Sequence, residues 1–282
     1  MHGSESRAFQ LDQASRNEIA QFLASAALAA GPAVMAVYER GFEVFAKDDG
    51  SPVTLADRRA EAVICALLSR AAPTTPIVAE ESVSEGGRPA VDQRFLLVDP
   101  LDGTKEFIAR NGEFTINVAL IDRGTPIAGA VYAPALGRLW FAGDSAFVCA
   151  APVGCGLPAE AEWMPIHVRN APAAMVAVAS RSHADTETKA FLQRLPIAER
   201  RSRGSSLKFC LVAEGEADVY PRFGPTMEWD TAAGDAVLRA AGGVVLDPSG
   251  RPLAYGKQER DFKNGSFIAW GDAKAALRFR PR

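Results

Sequence analysis

The feature that most constrains this chain is an apolar strand that runs directly into two carboxylates. Residues 96–104 read Leu-Leu-Val-Asp-Pro-Leu-Asp-Gly-Thr. Because the proline and the glycine favour a tight turn, Asp99 and Asp102 can face one point, and the Leu101 carbonyl can supply a third oxygen ligand. The pattern favours a Mg²⁺ site at a strand end. The plainer alternative is a polar turn in which an aspartate caps a helix.

A short helix is expected to begin after Gly103. Its free N–H groups, together with the Thr104 hydroxyl, would suit a phosphate. The formal net charge of -3 creates no general positive field that would attract nucleic acid or an anionic membrane. An anionic substrate would therefore need a local binding site of this kind. We therefore expect a small-molecule phosphate ester as the partner and no nucleic acid polymer.

Further carboxylates stand at the ends of other predicted elements. Glu80 and Glu81 follow an apolar strand, and Asp230 begins a helix. These residues can converge with the first segment on a metal cluster. Plainer explanations are a solvated strand end for the glutamates and a helix N-cap for Asp230. Asp57 lies in the first turn of another helix, where it either offsets the helix dipole or contacts a metal.

The composition indicates where in the cell the protein is expected to lie. The four cysteines occur without CxxC spacing or a companion histidine cluster, which argues against a zinc site or a disulfide framework and favours a reducing, cytoplasmic location. Residues 19–38 carry no charge, but they are rich in alanine, contain Gln21 and are interrupted by Gly31 and Pro32. A buried amphipathic helix is therefore expected there, and no transmembrane segment.

The spacing of apolar residues predicts two parts with different orders of helices and strands. They are an N-terminal α+β half at residues 1–155 and a C-terminal α/β half at residues 156–282. The first half would carry most metal ligands, and the second Asp230 and the specificity residues. Residues 151–165, rich in proline and glycine, mark the boundary. Predicted helices cover residues 11–40, 55–70, 186–195, 206–213 and 231–241, and predicted strands cover residues 76–79, 95–98, 115–121, 127–132, 139–141, 146–150, 175–179, 217–220 and 244–246.

Four motifs occur in a fixed order along the chain. They are Ser-Pro-Val-Thr-x-Ala-Asp from Ser51, Glu-Glu-Ser from Glu80, Asp-Pro-Leu-Asp-Gly-Thr from Asp99 and Trp-Asp-Thr-Ala-Ala-Gly from Trp229. The set resembles the signatures of the inositol monophosphatase superfamily over residues 11–269. The resemblance implies a layered αβαβα sandwich, of the inositol monophosphatase and fructose-1,6-bisphosphatase type, with the site between its halves.

The resemblance also implies a mechanism. Two or three Mg²⁺ ions per site would activate water and stabilise the leaving oxygen during in-line attack on phosphorus, with no phospho-enzyme. The three histidines lie outside every motif, which agrees with that mechanism. By position, Glu80 and Thr104 would orient the nucleophilic water, and the metal ligands would be Glu80, Asp99, the Leu101 carbonyl, Asp102 and Asp230, with the catalytic residue Asp57 near a further, weaker metal.

A longer run, from Asp99 to Ile121, resembles the CysQ-type 3′(2′),5′-bisphosphate nucleotidases, as does Gly-Ser-Ser-Leu-Lys-Phe-Cys from Gly204. That closer resemblance implies hydrolysis of 3′-phosphoadenosine 5′-phosphate to AMP, a role in sulfate assimilation and inhibition by Li⁺. A bisphosphorylated nucleotide needs a second anion site, for which Lys105, Lys208 and Arg222 are candidate cations. Each of these three could equally be an ordinary surface residue. The substrate-binding candidates are Gly103, Thr104, Lys105, Ser205, Ser206, Lys208, Arg222 and Asp230.

Two alternative functions stay open. A phosphatase for inositol, histidinol or fructose-bisphosphate esters would use the same metal core and would be distinguished by comparing substrates. A non-catalytic relative that binds metal or nucleotide would have no need of Glu80 and Thr104 to activate water. A homodimer is an option, since dimers occur among relatives. A peripheral position at the inner membrane face is kept beside the cytoplasmic expectation.

Overall fold

The computed structural model describes residues 10–40, 45–46, 52–180 and 185–279. The turn predicted before Pro52 and the Ser51 start of the first motif lie outside the described residues. The N-terminal elements are α1 (Arg16–Arg40), β1 (Phe45–Ala46), β2 (Pro52–Val53), α2 (Leu55–Ala71), β3 (Ile77–Ala79), α3 (Glu80–Ser84), β4 (Arg94–Asp102), α4 (Thr104–Ile108), β5 (Thr115–Asp122), β6 (Thr125–Ala133), β7 (Arg138–Ala142), β8 (Ala146–Ala150) and β9 (Met164–Pro165), with short 3₁₀ turns at Leu11–Gln13, Pro134–Leu136 and Glu160–Glu162.

Seven of these strands form the larger sheet, in the order β3-β4-β5-β6-β7-β8-β9. Every neighbouring pair is antiparallel except β3 and β4, which run parallel and place Ala79 beside Val98. Side chains alternate between two faces of the sheet. On β5, Ile116, Val118 and Leu120 pack in the core beneath α1 and α2, whereas Ala119 and Ile121 pack on the opposite face.

Helices α1 and α2 cover the first face of this sheet. The alanine-rich stripe of α1 allows close packing, and α1 continues unbroken through Pro32, in agreement with the helix predicted over residues 11–40, although α1 begins at Arg16. At this point α1 packs tightly on the sheet, because Gly31 lies so close to Tyr132 on β6 that an added Cβ would come within 2.7 Å of the ring. By length and composition α1 could cross a membrane, but 61% of its apolar window is buried inside the protein, as expected of a core helix.

The C-terminal elements form a second, smaller sheet and its helices. Five strands pair in the order β11-β10-β12-β16-β14, and β13 pairs with β15. The elements are β10 (Met175–Ala179), α5 (Thr186–Gln193), β11 (Ile197–Ser202), α6 (Leu207–Ala213), β12 (Val219–Arg222), β13 (Thr226–Met227), α7 (Ala232–Ala240), β14 (Val244–Leu246), β15 (Lys263–Asn264), β16 (Phe267–Trp270) and α8 (Ala273–Arg278), with a 3₁₀ turn at Gln258–Arg260.

The two sheets and their helices stack in five layers. Helices α1 and α2 lie outside the first sheet, α6 and α7 lie between the sheets, and α5 and α8 lie outside the second. In the middle layer, Gly234 of α7 approaches Phe209 of α6 so closely that an added Cβ would come within 2.5 Å of the ring. The layered αβαβα sandwich is therefore confirmed.

The predicted strand end at Val98 is wrong, because β4 continues to Asp102. The pairing register with β5 is regular up to Asp99 opposite Asn117, breaks across Pro100, and resumes at Asp102 opposite Thr115. A proline, which has no N–H to donate, is tolerated at such a break. Both aspartates thus belong to one strand, with the irregular turn between them.

Several elements were not predicted. They include β11, whose Glu199, Arg200 and Arg201 give no apolar alternation, and β16, a short apolar run between glycines. Strand β9 pairs with β8, so the larger sheet extends to Pro165, beyond the proposed division at residue 155. The division into two halves stays a prediction.

Candidate active site

The end of β4 carries the first pair of carboxylates. Asp99 is 1% exposed, and its Oδ1 accepts a hydrogen bond of 3.0 Å from the Leu101 N–H, which shapes the irregular turn. Gly103 follows with φ +93°, a left-handed conformation that favours glycine, and α4 begins at Thr104. The predicted short helix is therefore present. The Thr104 hydroxyl faces the Leu101 carbonyl at 3.5 Å.

The parallel pairing of β3 with β4 brings the Glu80 carboxylate to the same place. Strand β3 ends at Ala79, and Glu80 is the first residue of α3. Burial raises the pKa of Asp99, and the Glu80 carboxylate lies near enough for its charge to raise that pKa further, so the two strand ends meet. The alternative that these glutamates are solvated at a strand end is wrong for Glu81, because its side chain is buried, with 4% exposed.

Asp230 reaches the site from the other half of the molecule. It stands immediately before Thr231, the N-cap position of α7, so the alternative in which Asp230 itself caps this helix is not what the structure has. The Asp230 Oδ2 instead accepts a hydrogen bond of 2.8 Å from the Met227 N–H. Its carboxylate is therefore held by the end of β13.

Asp57 lies in the first turn of α2, as predicted, and takes part there in a capping box, a role that the sequence analysis did not assign to it. Its Oδ2 accepts the Thr54 backbone N–H at 2.8 Å and the Thr54 hydroxyl at 2.7 Å, completing a capping box at the start of α2. Its part in binding a further metal stays a prediction.

The electrostatics of the four converging carboxylates favour the binding of a positive charge. Burial raises the pKa of Asp99 well above its ordinary value, and the neighbouring Glu80, Asp102 and Asp230 raise it further. The pKa of Asp230 is raised well above its ordinary value by burial first, and then by Asp102 and Glu80. A divalent cation would relieve this repulsion.

The donor set fits a hard cation. The carboxylates and the Leu101 carbonyl are oxygen donors of the kind that Mg²⁺ prefers, and no histidine or cysteine lines this site among the described residues. No three such side chains in the described part of the chain form a ready-made coordination shell. The Asp102 and Asp230 oxygens are instead engaged in the hydrogen bonds of the surrounding protein.

A cavity of about 300 Å³ opens beside these carboxylates, and residues from both sides of the proposed division line it. The structure brings to it most of the predicted site residues, but Asp57, Asp99, Leu101 and Ser206 are not in its wall. The lining residues are Glu80, Asp102, Gly103, Thr104, Lys105 and Glu106 from the first half, and Ser180, Ser205, Lys208, Phe209, Tyr220, Arg222, Pro225, Thr226, Asp230 and Thr231 from the second.

Two cations of this cavity are buried in its second-half wall. Lys208, 5% exposed, donates hydrogen bonds to the Arg203 and Ser205 carbonyls, and its Nζ lies 5.3 Å from the centre of the Tyr220 ring. Burial lowers the pKa of Lys208 to about 8, because desolvation outweighs the nearby Asp102. Arg222 donates from Nη2 to the Pro225 carbonyl at 3.0 Å, and its buried Nε has no hydrogen-bond partner among the described residues.

The two neighbouring serines have different surroundings. Ser205 has φ +54°, a strained conformation for a residue other than glycine, and its hydroxyl donates to Asp102 Oδ2 at 2.7 Å. Ser206 is buried, and its hydroxyl donates to the Asp230 carbonyl at 2.8 Å. Ser206 therefore lies behind the cavity wall, and direct binding of substrate by this residue stays a prediction.

Comparison with known proteins places this site in a family. The model of the inositol monophosphatase family matches residues 15–277. The chain belongs to the inositol monophosphatase family. Membership implies a divalent metal at the site and an enzyme that hydrolyses phosphate esters.

Within the inositol monophosphatase family, similar proteins include curated bacterial enzymes. The 3′(2′),5′-bisphosphate nucleotidase CysQ of Escherichia coli K12 is 49% identical over 240 residues, which cover 84% of this chain and 94% of the relative. The CysQ of Buchnera aphidicola from Acyrthosiphon pisum is 40% identical over 246 residues, covering 86% of this chain and 90% of the relative.

Solved structures agree with the fold. The crystal structure of CysQ from Bacteroides thetaiotaomicron matches with a TM-score of 0.74 and 39% identity, covering 90% of this chain and 97% of that one. The Thermotoga maritima IMPase has a TM-score of 0.73 at 24% identity, covering 93% and 95% of the two chains, and this match supports the fold alone.

Two buried polar residues next to the site were not singled out from the sequence. Asn117 interrupts an apolar strand, and Glu61 stands on the buried face of α2, one helical turn after Asp57. A polar residue on a buried stripe is the signal that could have identified both of them.

Proposed function

We propose that this protein is a divalent-metal-dependent phosphomonoesterase that hydrolyses 3′-phosphoadenosine 5′-phosphate to AMP and phosphate. The observation that carries the proposal is the pair of buried cations, Lys208 and Arg222, in the same cavity as the carboxylate cluster. The curated CysQ relatives are named as 3′(2′),5′-bisphosphate nucleotidases, which supports the same substrate class.

The carboxylate side of the cavity would hold the ester that is cleaved. Glu80, Asp99, the Leu101 carbonyl, Asp102 and Asp230 would hold two or three Mg²⁺ ions. When bound, these ions would supply Lewis-acid polarisation of the phosphate ester and of water. Their positive charge would also offset the mutual repulsion that raises the pKa values of Asp99 and Asp230.

The chain's own groups would align the reaction. Glu80 and Thr104, which both line the cavity, would orient the attacking water, with the Glu80 carboxylate accepting its proton. The first N–H groups of α4, following the left-handed Gly103, would donate to the phosphate oxygens. In-line attack at phosphorus needs positioning and charge stabilisation more than covalent chemistry.

The cationic wall would select a substrate with a second phosphate. Arg222 offers a buried Nε–H that no described residue accepts, and Lys208 adds an ammonium group beside it. Ser205 and Lys105 also line the cavity and could add donors at its rim. An inositol monophosphate would leave these buried cations without an anionic partner, which costs binding free energy.

The finer properties stay with this proposal. Inhibition by Li⁺, a role in sulfate assimilation and a homodimer are expectations from the resemblance, and a cytoplasmic location is an expectation from the unpaired cysteines. A peripheral position at the inner membrane face has no supporting observation. The alternative of an inositol monophosphatase or a histidinol phosphatase would keep the same carboxylate cluster but give no role to Lys208 and Arg222, whereas fructose 1,6-bisphosphate carries a second phosphate and is distinguished by comparing substrates.

A substrate panel tests the proposal. Phosphate release would be measured with Mg²⁺ from 3′-phosphoadenosine 5′-phosphate, inositol 1-phosphate, histidinol phosphate and fructose 1,6-bisphosphate, with an Asp102→Asn preparation to exclude a contaminating phosphatase. A strong preference for the nucleotide is expected. Preference for another ester would overturn the substrate assignment, and no release from any of them would favour a binding-only relative.

A further inference from the structure

The side chain of Asn117 lies buried at the meeting point of the two halves. Asn117 is 1% exposed and pairs directly with Asp99 across β4 and β5. Strand alternation places it on the face that carries Ala119 and Ile121, which is the face packed against the middle helical layer. A buried amide is costly unless all its groups are hydrogen-bonded.

The hydrogen bonds of Asn117 fix the orientation of its amide. Oδ1 accepts the Thr115 hydroxyl at 3.0 Å, while Nδ2 donates to the Ser206 hydroxyl at 3.1 Å and to Asp102 Oδ2 at 3.4 Å. The reversed amide would turn its oxygen toward the Asp102 carboxylate and lose that donor. The side chain therefore acts as a donor toward the carboxylate cluster.

Ser206 extends this connection to the other half. It accepts from Asn117 and donates its own hydroxyl proton to the Asp230 carbonyl at 2.8 Å. Asp102 ends a strand of the first sheet, whereas Asp230 precedes α7 in the second half. The Asn117 amide thus connects directly to the side chain of Asp102, and to the main chain of Asp230 through Ser206.

We propose that Asn117 is a positioning residue that sets the spacing between Asp102 and Asp230, and thereby the affinity of the site for a divalent cation. Asn117 is not in the cavity wall, so it acts through Ser206 and Asp102 and not by touching the substrate. The inference rests on the proposed function for the assignment of these carboxylates as metal ligands. Residues that orient metal ligands typically contribute about 10-fold to 100-fold to metal affinity.

The test measures metal binding without substrate, by isothermal titration of Mg²⁺ into the full-length protein. Asn117→Ala is expected to raise the Kd for Mg²⁺ about tenfold or more. At saturating Mg²⁺, its kcat should return to within about threefold of wild type, because the groups that contact the substrate are intact. If Asn117→Ala does not fold, Asn117→Ser, which leaves a smaller cavity, takes its place with the same expected shift.

A matched control separates positioning from a general loss of stability. Asp218 is equally buried, and it bonds the Val176 N–H and Arg169 entirely within the second half. Asp218→Asn should lower the unfolding temperature without changing the Kd for Mg²⁺. In a double-mutant cycle, Ser206→Ala should weaken Mg²⁺ binding less in the Asn117→Ala background than in the wild type.

The outcomes are distinct. An unchanged Kd for Mg²⁺ in folded Asn117→Ala or Asn117→Ser, or fully additive effects with Ser206→Ala, would overturn the inference. The substrate panel on the wild-type enzyme reports on the proposed function separately. A wild type that prefers inositol 1-phosphate, combined with weaker Mg²⁺ binding in Asn117→Ala, would contradict the substrate and leave the positioning role standing.

Discussion

Glu61 accepts a hydrogen bond of 2.7 Å from the backbone N–H of Glu81, twenty residues further along the chain. Its other oxygen accepts the Ser82 N–H at 2.9 Å and the Ser82 hydroxyl at 2.5 Å. These donors belong to the first turn of α3, which begins with Glu80. A carboxylate from α2 therefore holds the turn that presents Glu80 to the cavity.

Glu61→Gln is expected to loosen that turn. The glutamine keeps one acceptor oxygen but directs an NH₂ group at a backbone donor, so the unfolding free energy should fall by about 1–3 kcal/mol in urea denaturation. Phosphate release at saturating Mg²⁺ should also fall, because Glu80 is displaced. Asp218→Asn is the control for stability alone, and equal activity in the two variants would contradict this role for Glu61.

Asp102→Asn should separate activity from stability. Losing several kcal/mol of transition-state stabilisation corresponds to a decrease in turnover of about 10³-fold. The metal-free protein should nevertheless melt at the same temperature or higher, because Asp102 repels Asp99 and Asp230. Phosphate release and thermal denaturation in EDTA test both statements. Retained turnover would remove Asp102 from the reaction.

The stabilisation by Mg²⁺ should increase with pH. The pKa values of Asp99 and Asp230 are raised well above the ordinary 3.8, so the folded protein binds more protons than the unfolded chain in that range. The free energy of unfolding of the metal-free protein therefore falls as pH rises through the range of these raised pKa values. A bound cation offsets the negative charges that form. The melting-temperature difference between Mg²⁺ and EDTA should be larger at about pH 8 than at about pH 5. Asp99→Asn should flatten this trend, and a larger difference at the lower pH would contradict it.

Local chemistry indicates that carboxylates can converge and leaves plainer alternatives open. A strand before Asp99, a turn at Gly103 and a short helix from Thr104 can be inferred from neighbouring residues, although the strand continues to Asp102. The position of Asp230 beside them came from the family resemblance, since nothing in its own segment distinguishes a metal ligand from a helix cap.

Contacts between distant segments could not be predicted in this way. Glu61 acts on residues that lie 20 and 21 positions away, and Asn117 on Ser206, which is 89 positions away. Strand β11 escaped prediction because its charged side chains follow from its position at a sheet edge, where apolar alternation is not required. These features depend on which surfaces the fold brings together.

Lys208 should make substrate binding weaker at high pH, so that the pH profile of the KM has a basic limb. Burial lowers its pKa to about 8, so it is protonated below that value and loses its charge as pH rises through it. The KM for 3′-phosphoadenosine 5′-phosphate should therefore rise above about pH 8. Adenosine 3′-monophosphate, which lacks the second phosphate, should not show the rise. Lys208→Met should raise the KM below about pH 8, where the wild-type lysine is charged, and remove the rise above it. An unchanged pH profile in that variant would exclude Lys208 from binding.

The central claim is that the cavity recognises the second phosphate of a nucleotide while it cleaves the first. The most direct measurement compares kcat/KM for 3′-phosphoadenosine 5′-phosphate and adenosine 3′-monophosphate, which differ only in the 5′-phosphate. One or two charge-assisted hydrogen bonds, from Lys208 and Arg222, predict a preference of about 100-fold for the bisphosphate, which Arg222→Met should reduce. Equal kcat/KM values for the two nucleotides would contradict the account.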